Sequence, residues 1–201
     1  MTRVLPTPFR LGLTGSIGMG KSTTGGFMSE QGVPVWDADA AVHRLYAAQG
    51  AATAALTPHF PEAIAPHGID RTVLKARIAR DPAALATLEA VVHPLVASDR
   101  ADFLAAATAD IVVFDIPLLF EKGTETDMDA TLLVTAPAAV QRARVLGRPG
   151  MTEQQFELLL ARQMPDAQKR SLATHIVETL SLDATRAYVT ALIAHIRTCH
   201  A

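Results

Sequence analysis

Apolar residues recur along this chain in two alternating rhythms. Short, largely apolar runs at 9–14, 33–36, 111–114, 131–134 and 175–178 have the length of strands. Between them, apolar positions spaced three and four apart predict helices over 21–31, 138–147, 153–163, 166–172 and 184–197. Gly32 supplies the stop for the first of these helices. From 40 to 107 the sequence is Ala-rich and mostly helical in pattern. It is interrupted at Gly50, at Pro58 and Pro61, at Pro66-His67-Gly68, at Asp81-Pro82 and at Pro94. Strands of this kind separated by helices predict an α/β fold, a parallel sheet with helices on both faces. The helical stretch between the second and third strands is too long for a simple crossover and reads as an inserted subdomain. No repeat of fixed period and no low-complexity tail is present.

Composition narrows the picture. A chain of 201 residues can bury one good core and carry an insertion, which predicts a single globular unit with subdomains. The hydrophobic fraction is 49%, yet no charge-free run reaches the roughly 18 apolar residues of a membrane span, so a soluble protein is expected. The first ten residues contain two prolines and two arginines and lead straight into the first strand. That leaves no room for a signal peptide and points to the cytoplasm. Cys199 is the single cysteine, so neither a disulfide framework nor a cysteine metal site is available. A formal net charge of −2, without any Lys/Arg-rich run, gives no pull toward nucleic acid.

The strongest chemical signal follows the first strand. Gly15-Ser16-Ile17-Gly18-Met19-Gly20-Lys21-Ser22 fits G-x-x-x-x-G-K-[ST], the phosphate-binding loop. Glycines let the backbone curl so that several N–H groups face one anion, and the helix behind adds the positive end of its dipole. Lys21 can reach the β- and γ-phosphates of ATP, and the Ser22 hydroxyl can take a place on Mg²⁺. With the next residue, Thr23, this run is the candidate nucleotide site. A plain Gly-rich turn would need neither Lys-Ser at this offset nor a strand before and a helix behind.

In an open parallel sheet, ligands bind beyond the carboxyl ends of the strands. After the second strand come Asp37-Ala38-Asp39. Asp37 is equally suited to cap the next helix, whereas Asp39 is the better candidate to accept a proton from an acceptor hydroxyl. Asp115 closes the apolar run 111–114, the place where phosphate-loop enzymes hold Mg²⁺, although a turn role before Pro117 is open as well. Arg142, Arg144 and Arg148 are read on one helix, with Arg144 and Arg148 one turn apart on one face. Such a helix, followed by Gly147, Pro149 and Gly150, suits a lid that brings positive charge to a γ-phosphate. Arg162 and Lys169 could add to that field, with the surface the expected place for Lys169. His93, before Pro94, reads as a helix boundary at least as well as a ligand.

Together these residues resemble a known family. The loop from Gly12 to Ser22, Asp37-Ala38-Asp39, His93-Pro94-Leu95, Asp115-Ile116-Pro117-Leu118-Leu119-Phe120-Glu121 and the helix from Gln141 to Arg148 are similar, in order and spacing, to dephospho-CoA kinase. The resemblance covers nearly the whole chain. It implies a P-loop NTPase-type kinase that moves the γ-phosphoryl of ATP, with Mg²⁺, to the ribose 3′-hydroxyl of dephospho-CoA, the final step of coenzyme A biosynthesis. It also implies a nucleotide-binding core over 1–39 and 109–201, a helical CoA-substrate subdomain over about 40–108 and a lid over about 137–165. Catalytic roles fall on Lys21, Asp39 as base and Arg144, which with Arg148 also contacts the nucleotide. Thr14, Asp39, His93 and Leu118 fall on the acceptor side, and Ser22 and Asp115 on the metal. ATP and dephospho-CoA are then the partners.

One feature departs from the family pattern. A stretch like Ala-Asp-x-Val-Ile-x-Asn commonly ends the core near adenine, whereas this chain has Ala173-Thr174-His175-Ile176-Val177-Glu178-Thr179 and contains no asparagine. Two other readings stay open: a nucleoside or shikimate-type kinase, since fold does not set substrate, and a nucleotide-dependent switch. A guanine switch would need an Asn-Lys-x-Asp and an Asp-x-x-Gly motif. Neither is present.

Overall fold

The computed structural model describes residues 7–200, so most of the proline-containing N-terminal segment lies outside it. The chain enters through β1 (Phe9–Thr14), α1 (Lys21–Glu30) and β2 (Val35–Asp37). It continues through α2 (Ala38–Leu45), α3 (Ala51–Leu56), the short strands β3 (Ile64–Ala65) and β4 (Gly68–Ile69), α4 (Arg71–Arg80) and α5 (Pro82–Ala106). Then follow β5 (Ile111–Asp115), β6 (Ala130–Thr135), α6 (Ala138–Leu146), α7 (Glu153–Leu160), α8 (Asp166–Leu172), β7 (His175–Glu178) and α9 (Leu182–Cys199). Two compact units result: the chain up to Trp36 together with Ala107 onward, and Asp37–Ala106.

The first unit is built on a five-stranded sheet of order β2-β5-β1-β6-β7. β1 runs parallel to both β5 and β6, and β6 parallel to β7. Every residue of β5 and β6 is buried, as is β1 from Leu11 on, so both faces of the sheet are covered and the strands read as continuous apolar runs. On one face, Leu11, Leu13, Ile111, Val113, Leu132 and Val134 pack with Phe27 and Met28 of α1 and with Val189, Leu192, Ile193 and Ile196 of α9. On the other, α8 is tied to the end of β6, where the Thr135 hydroxyl donates to Asp166 at 2.9 Å. Register places Leu13 beside Asp115 on one side and Leu132 on the other, which brings the carboxyl ends of three strands level with the loop after β1.

The second unit has its own apolar core of Leu45, Ala52, Leu56, Phe60, Ala63, Ile69, Leu74, Ala84 and Val92. Asp70 caps α4 by accepting from the Thr72 and Val73 N–H groups, at 2.8 and 3.1 Å. Two expectations are corrected here. The break at Pro66-His67-Gly68 is the turn of a β3–β4 antiparallel ribbon rather than a gap between helices. Pro66 and His67 make the turn and Gly68, at φ +114, opens β4; its backbone is approached so closely by Ala47 and Tyr46 that a Cβ would have no room. Pro94 does not end a helix, because α5 runs through it. Proline removes one helical hydrogen bond, about 3 kcal/mol with its steric clash. That loss is local, while Leu88, Val91, Val92, Leu95 and Val96, on both sides of it, all pack on the same core.

Candidate active site

The loop between β1 and α1 is shaped by what surrounds it. A Cβ on Gly15 would collide with the Val134 side chain and lie 2.7 Å from the Val134 carbonyl, so β6 passes too close for any other residue. Gly20, at φ +94, opens α1 in the left-handed conformation. No side chain caps α1 and no acid stands in its first turn. The amides there point forward with the positive end of the helix dipole, the arrangement that binds phosphate. Within the loop, the Met19 N–H donates to the Ser16 carbonyl at 3.1 Å.

Lys21 and Asp115 form an ion pair at the mouth of this loop. Asp115 is buried at the end of β5, so its charge is held where the loop ends. Ser22 and Thr23 are exposed at the start of α1. The Thr14 hydroxyl donates to the Pro117 carbonyl at 3.2 Å, linking the end of β1 to the turn that carries Leu118, which is half-buried. No group of three His, Cys, Asp or Glu side chains suited to a metal exists among the described residues. One hydroxyl and one carboxylate do fit Mg²⁺, which keeps several waters and takes its remaining oxygens from substrate phosphates.

Two glutamines hold the tip of the loop. The Gln141 amide donates to the Ile17 carbonyl at 2.8 Å, and the Gln163 amide oxygen accepts the Ile17 N–H at 3.0 Å. Gln141 is buried on α6, so this helix is fastened to the loop, while Gln163 follows α7. Arg144, also on α6, reaches Thr179: its Nη1 donates to the hydroxyl at 3.0 Å and its Nη2 to the carbonyl at 2.5 Å. Arg148 is exposed and lies beyond the end of α6, whose last helical residue is Leu146. The expected shared face of Arg144 and Arg148 is therefore absent, because Gly147, Pro149 and Gly150 (φ +76) turn the chain out of the helix. Arg142 pairs with Glu153 across the same turn.

Lys169 is not a surface residue. It is fully buried and meets Glu121 at 2.8 Å, while the same carboxylate oxygen accepts the Met164 N–H at 2.8 Å. Sequence reading missed this pair, along with Gln141, Gln163 and the role of Thr179. A buried lysine leaves no trace in hydrophobic periodicity, and glutamines carry no motif.

In the second unit, the Asp37 carboxylate accepts the Ala40 N–H at 2.9 Å and caps α2, which decides the alternative left open for it. Asp39 is exposed in the first turn of the same helix. His93 is exposed within α5, 4.0 Å from Glu89 one turn away.

A family model described as Dephospho-CoA kinase matches residues 9–183. The chain belongs to the dephospho-CoA kinase family. A dephospho-CoA kinase from Cereibacter sphaeroides is 66% identical over 190 residues, covering 94% of this chain and 96% of the relative. A crystal structure of a Thermus thermophilus protein superposes with a TM-score of 0.83 at 38% identity, over 95% of this chain and 99% of that one. The dephospho-CoA kinase from Campylobacter jejuni shares the fold, with a TM-score of 0.68 at 21% identity, over 93% and 96% of the two chains. The phosphate loop, Asp115 and Arg144 all lie within the matched residues. None of the helices among the described residues is long and apolar enough to cross a membrane.

Proposed function

We propose that this kinase transfers the γ-phosphoryl group of ATP to the ribose 3′-hydroxyl of dephospho-CoA, giving coenzyme A. Family membership across residues 9–183 carries the reading, and the uncapped N-terminus of α1 behind the glycine loop supports the nucleotide half of it. Amides of the loop and of the first turn of α1 would hold the phosphates, with Lys21 exchanging its partner Asp115 for the β- and γ-oxygens. Ser22 and Asp115 would hold Mg²⁺, which when bound draws charge from the phosphates. Arg144, with Arg148, would stabilise charge on the transferred group.

On the acceptor side, Asp39 is assigned as the base that takes the hydroxyl proton as the O–P bond forms. Thr14, His93 and Leu118 are assigned to acceptor binding. The core, the CoA-binding helical subdomain over about 40–108 and the lid over about 137–165 complete the proposed division of labour. Gln141 on α6 and Gln163 after α7 both fasten this segment to Ile17, so the moving part of the lid is assigned to the turn between α6 and α7. The cytoplasm is assigned as its location.

The test is an acceptor panel with Mg-ATP, following ADP release and product mass for dephospho-CoA, shikimate and nucleosides. Dephospho-CoA should give the highest kcat/KM. A higher value for shikimate or a nucleoside would overturn the assignment.

A further inference from the structure

Thr179 stands where the family pattern has asparagine, and its side chain is committed to the phosphate loop. It is 7% exposed and follows β7. Its N–H donates to the Thr135 carbonyl at 2.9 Å, which fixes its backbone to the end of β6. Its single hydroxyl proton goes to the Met19 carbonyl at 2.7 Å, with the Thr135 carbonyl more distant at 3.3 Å. The same oxygen accepts from Arg144 Nη1, while the Thr179 carbonyl accepts from Nη2. A Cβ built on Gly20 would sit 3.0 Å from the Thr179 hydroxyl and 3.2 Å from its Cβ, so the side chain lies directly against the loop backbone.

We infer that Thr179 is a positioning residue that locks Arg144 and the phosphate loop into one arrangement. The inference rests on the kinase reading above and adds to it the residue that aims the arginine. An exposed arginine is otherwise free to sample many rotamers, each of which must be abandoned when a phosphate binds. Here two of the five N–H donors of the guanidinium are anchored in a fork to Thr179, which orients the plane before nucleotide arrives. The hydroxyl is suited to this because it donates to Met19 and accepts from Arg144 at the same atom. Valine would match its volume, leave the Met19 carbonyl without this donor and cut the fork to Arg144 down to the single bond from Nη2 to the Thr179 carbonyl. Asparagine carries its donor and acceptor on separate atoms, so it does not offer this link from a single atom.

The experiment is a double-mutant cycle of Thr179→Val and Arg144→Ala, with Thr179→Ser as the conservative variant, read as steady-state kinetics with Mg-ATP and dephospho-CoA. Thr179→Val should lower kcat about tenfold, the effect of one net hydrogen bond, with KM for dephospho-CoA unchanged. Thr179→Ser should stay within about threefold, and Thr179→Val should add less than about twofold once Arg144 is alanine, as coupled residues do. Additive losses in the cycle would overturn the proposal, and so would equal losses in the Ser and Val variants accompanied by a parallel fall in Tm. Should the valine variant not fold, Thr179→Ala removes the hydroxyl in its place. If the unmodified protein phosphorylates no dephospho-CoA, the kinase reading has failed separately. The same cycle is then read on the Kd for Mg-ATP, where coupling supports the proposal and additivity ends it.

Discussion

Lys169 and Glu121 form a buried ion pair, 2.8 Å apart, that joins α8 to the turn after β5. The second Glu121 carboxylate oxygen has no hydrogen-bond partner among the described residues, and Lys169 Nζ meets the first as an ion pair without hydrogen-bond geometry, so each charge depends on the other. Lys169→Ala should cost about 3–5 kcal/mol of unfolding free energy, because it leaves a buried carboxylate without its counter-charge. Replacing both, as Lys169→Met with Glu121→Leu, should recover most of that loss. Chemical denaturation of the three proteins is the measurement. A loss below about 1 kcal/mol in Lys169→Ala would show that water reaches the pair.

Lys21→Ala is expected to lower kcat by about 10²-fold or more, the usual consequence of removing a preorganised charge from a reacting phosphoryl group. The variant should retain a cooperative thermal transition, because β1, α1 and the sheet are held by apolar packing, with a lowered Tm from the buried Asp115 left without its counter-charge. An unchanged rate in the folded variant would remove the phosphate-loop assignment.

Asp39→Asn keeps shape while removing charge and basicity. It should reduce kcat by about 10²-fold or more and leave KM for dephospho-CoA nearly unchanged. Asp37 should act differently: it caps α2, so Asp37→Ala should cost about 0.5–2 kcal/mol of stability with turnover largely kept, while Asp37→Asn, whose amide oxygen can still cap, should leave both nearly unchanged. A catalytic defect confined to Asp37→Asn would exchange the two roles.

His175 links stability to pH. It is half-buried in β7, its ring 6.4 Å from that of His195 on α9. Burial, and secondarily the charge of His195, hold its imidazole below the ordinary value of 6.5. Between the depressed value and 6.5 the unfolded chain binds more protons than the folded one, so stability rises with pH in that window. Thermal unfolding should therefore show Tm falling as the pH drops through about 6.5 and levelling below the depressed value, a fall that His175→Gln makes shallower. Identical pH profiles for the two proteins would refute the assignment.

What the sequence determined by itself was local or periodic. The phosphate loop was legible because its residues act through backbone geometry within eight consecutive positions, and the central strands β1, β5 and β6 because burial on both faces demands nearly continuous apolar runs. Contacts between distant positions were decided only by tertiary structure. Ile17 meets Gln141 and Gln163 from 124 and 146 positions away, and Met19 meets Thr179 from 160. Pro94 ended a helix in a local reading and stayed inside α5 because packing on both sides outweighed one lost hydrogen bond. Lys169 carried the surface signature of any lysine until the fold set Glu121 beside it. In each case the deciding energy came from a partner whose distance along the chain leaves no mark in a window of neighbouring residues.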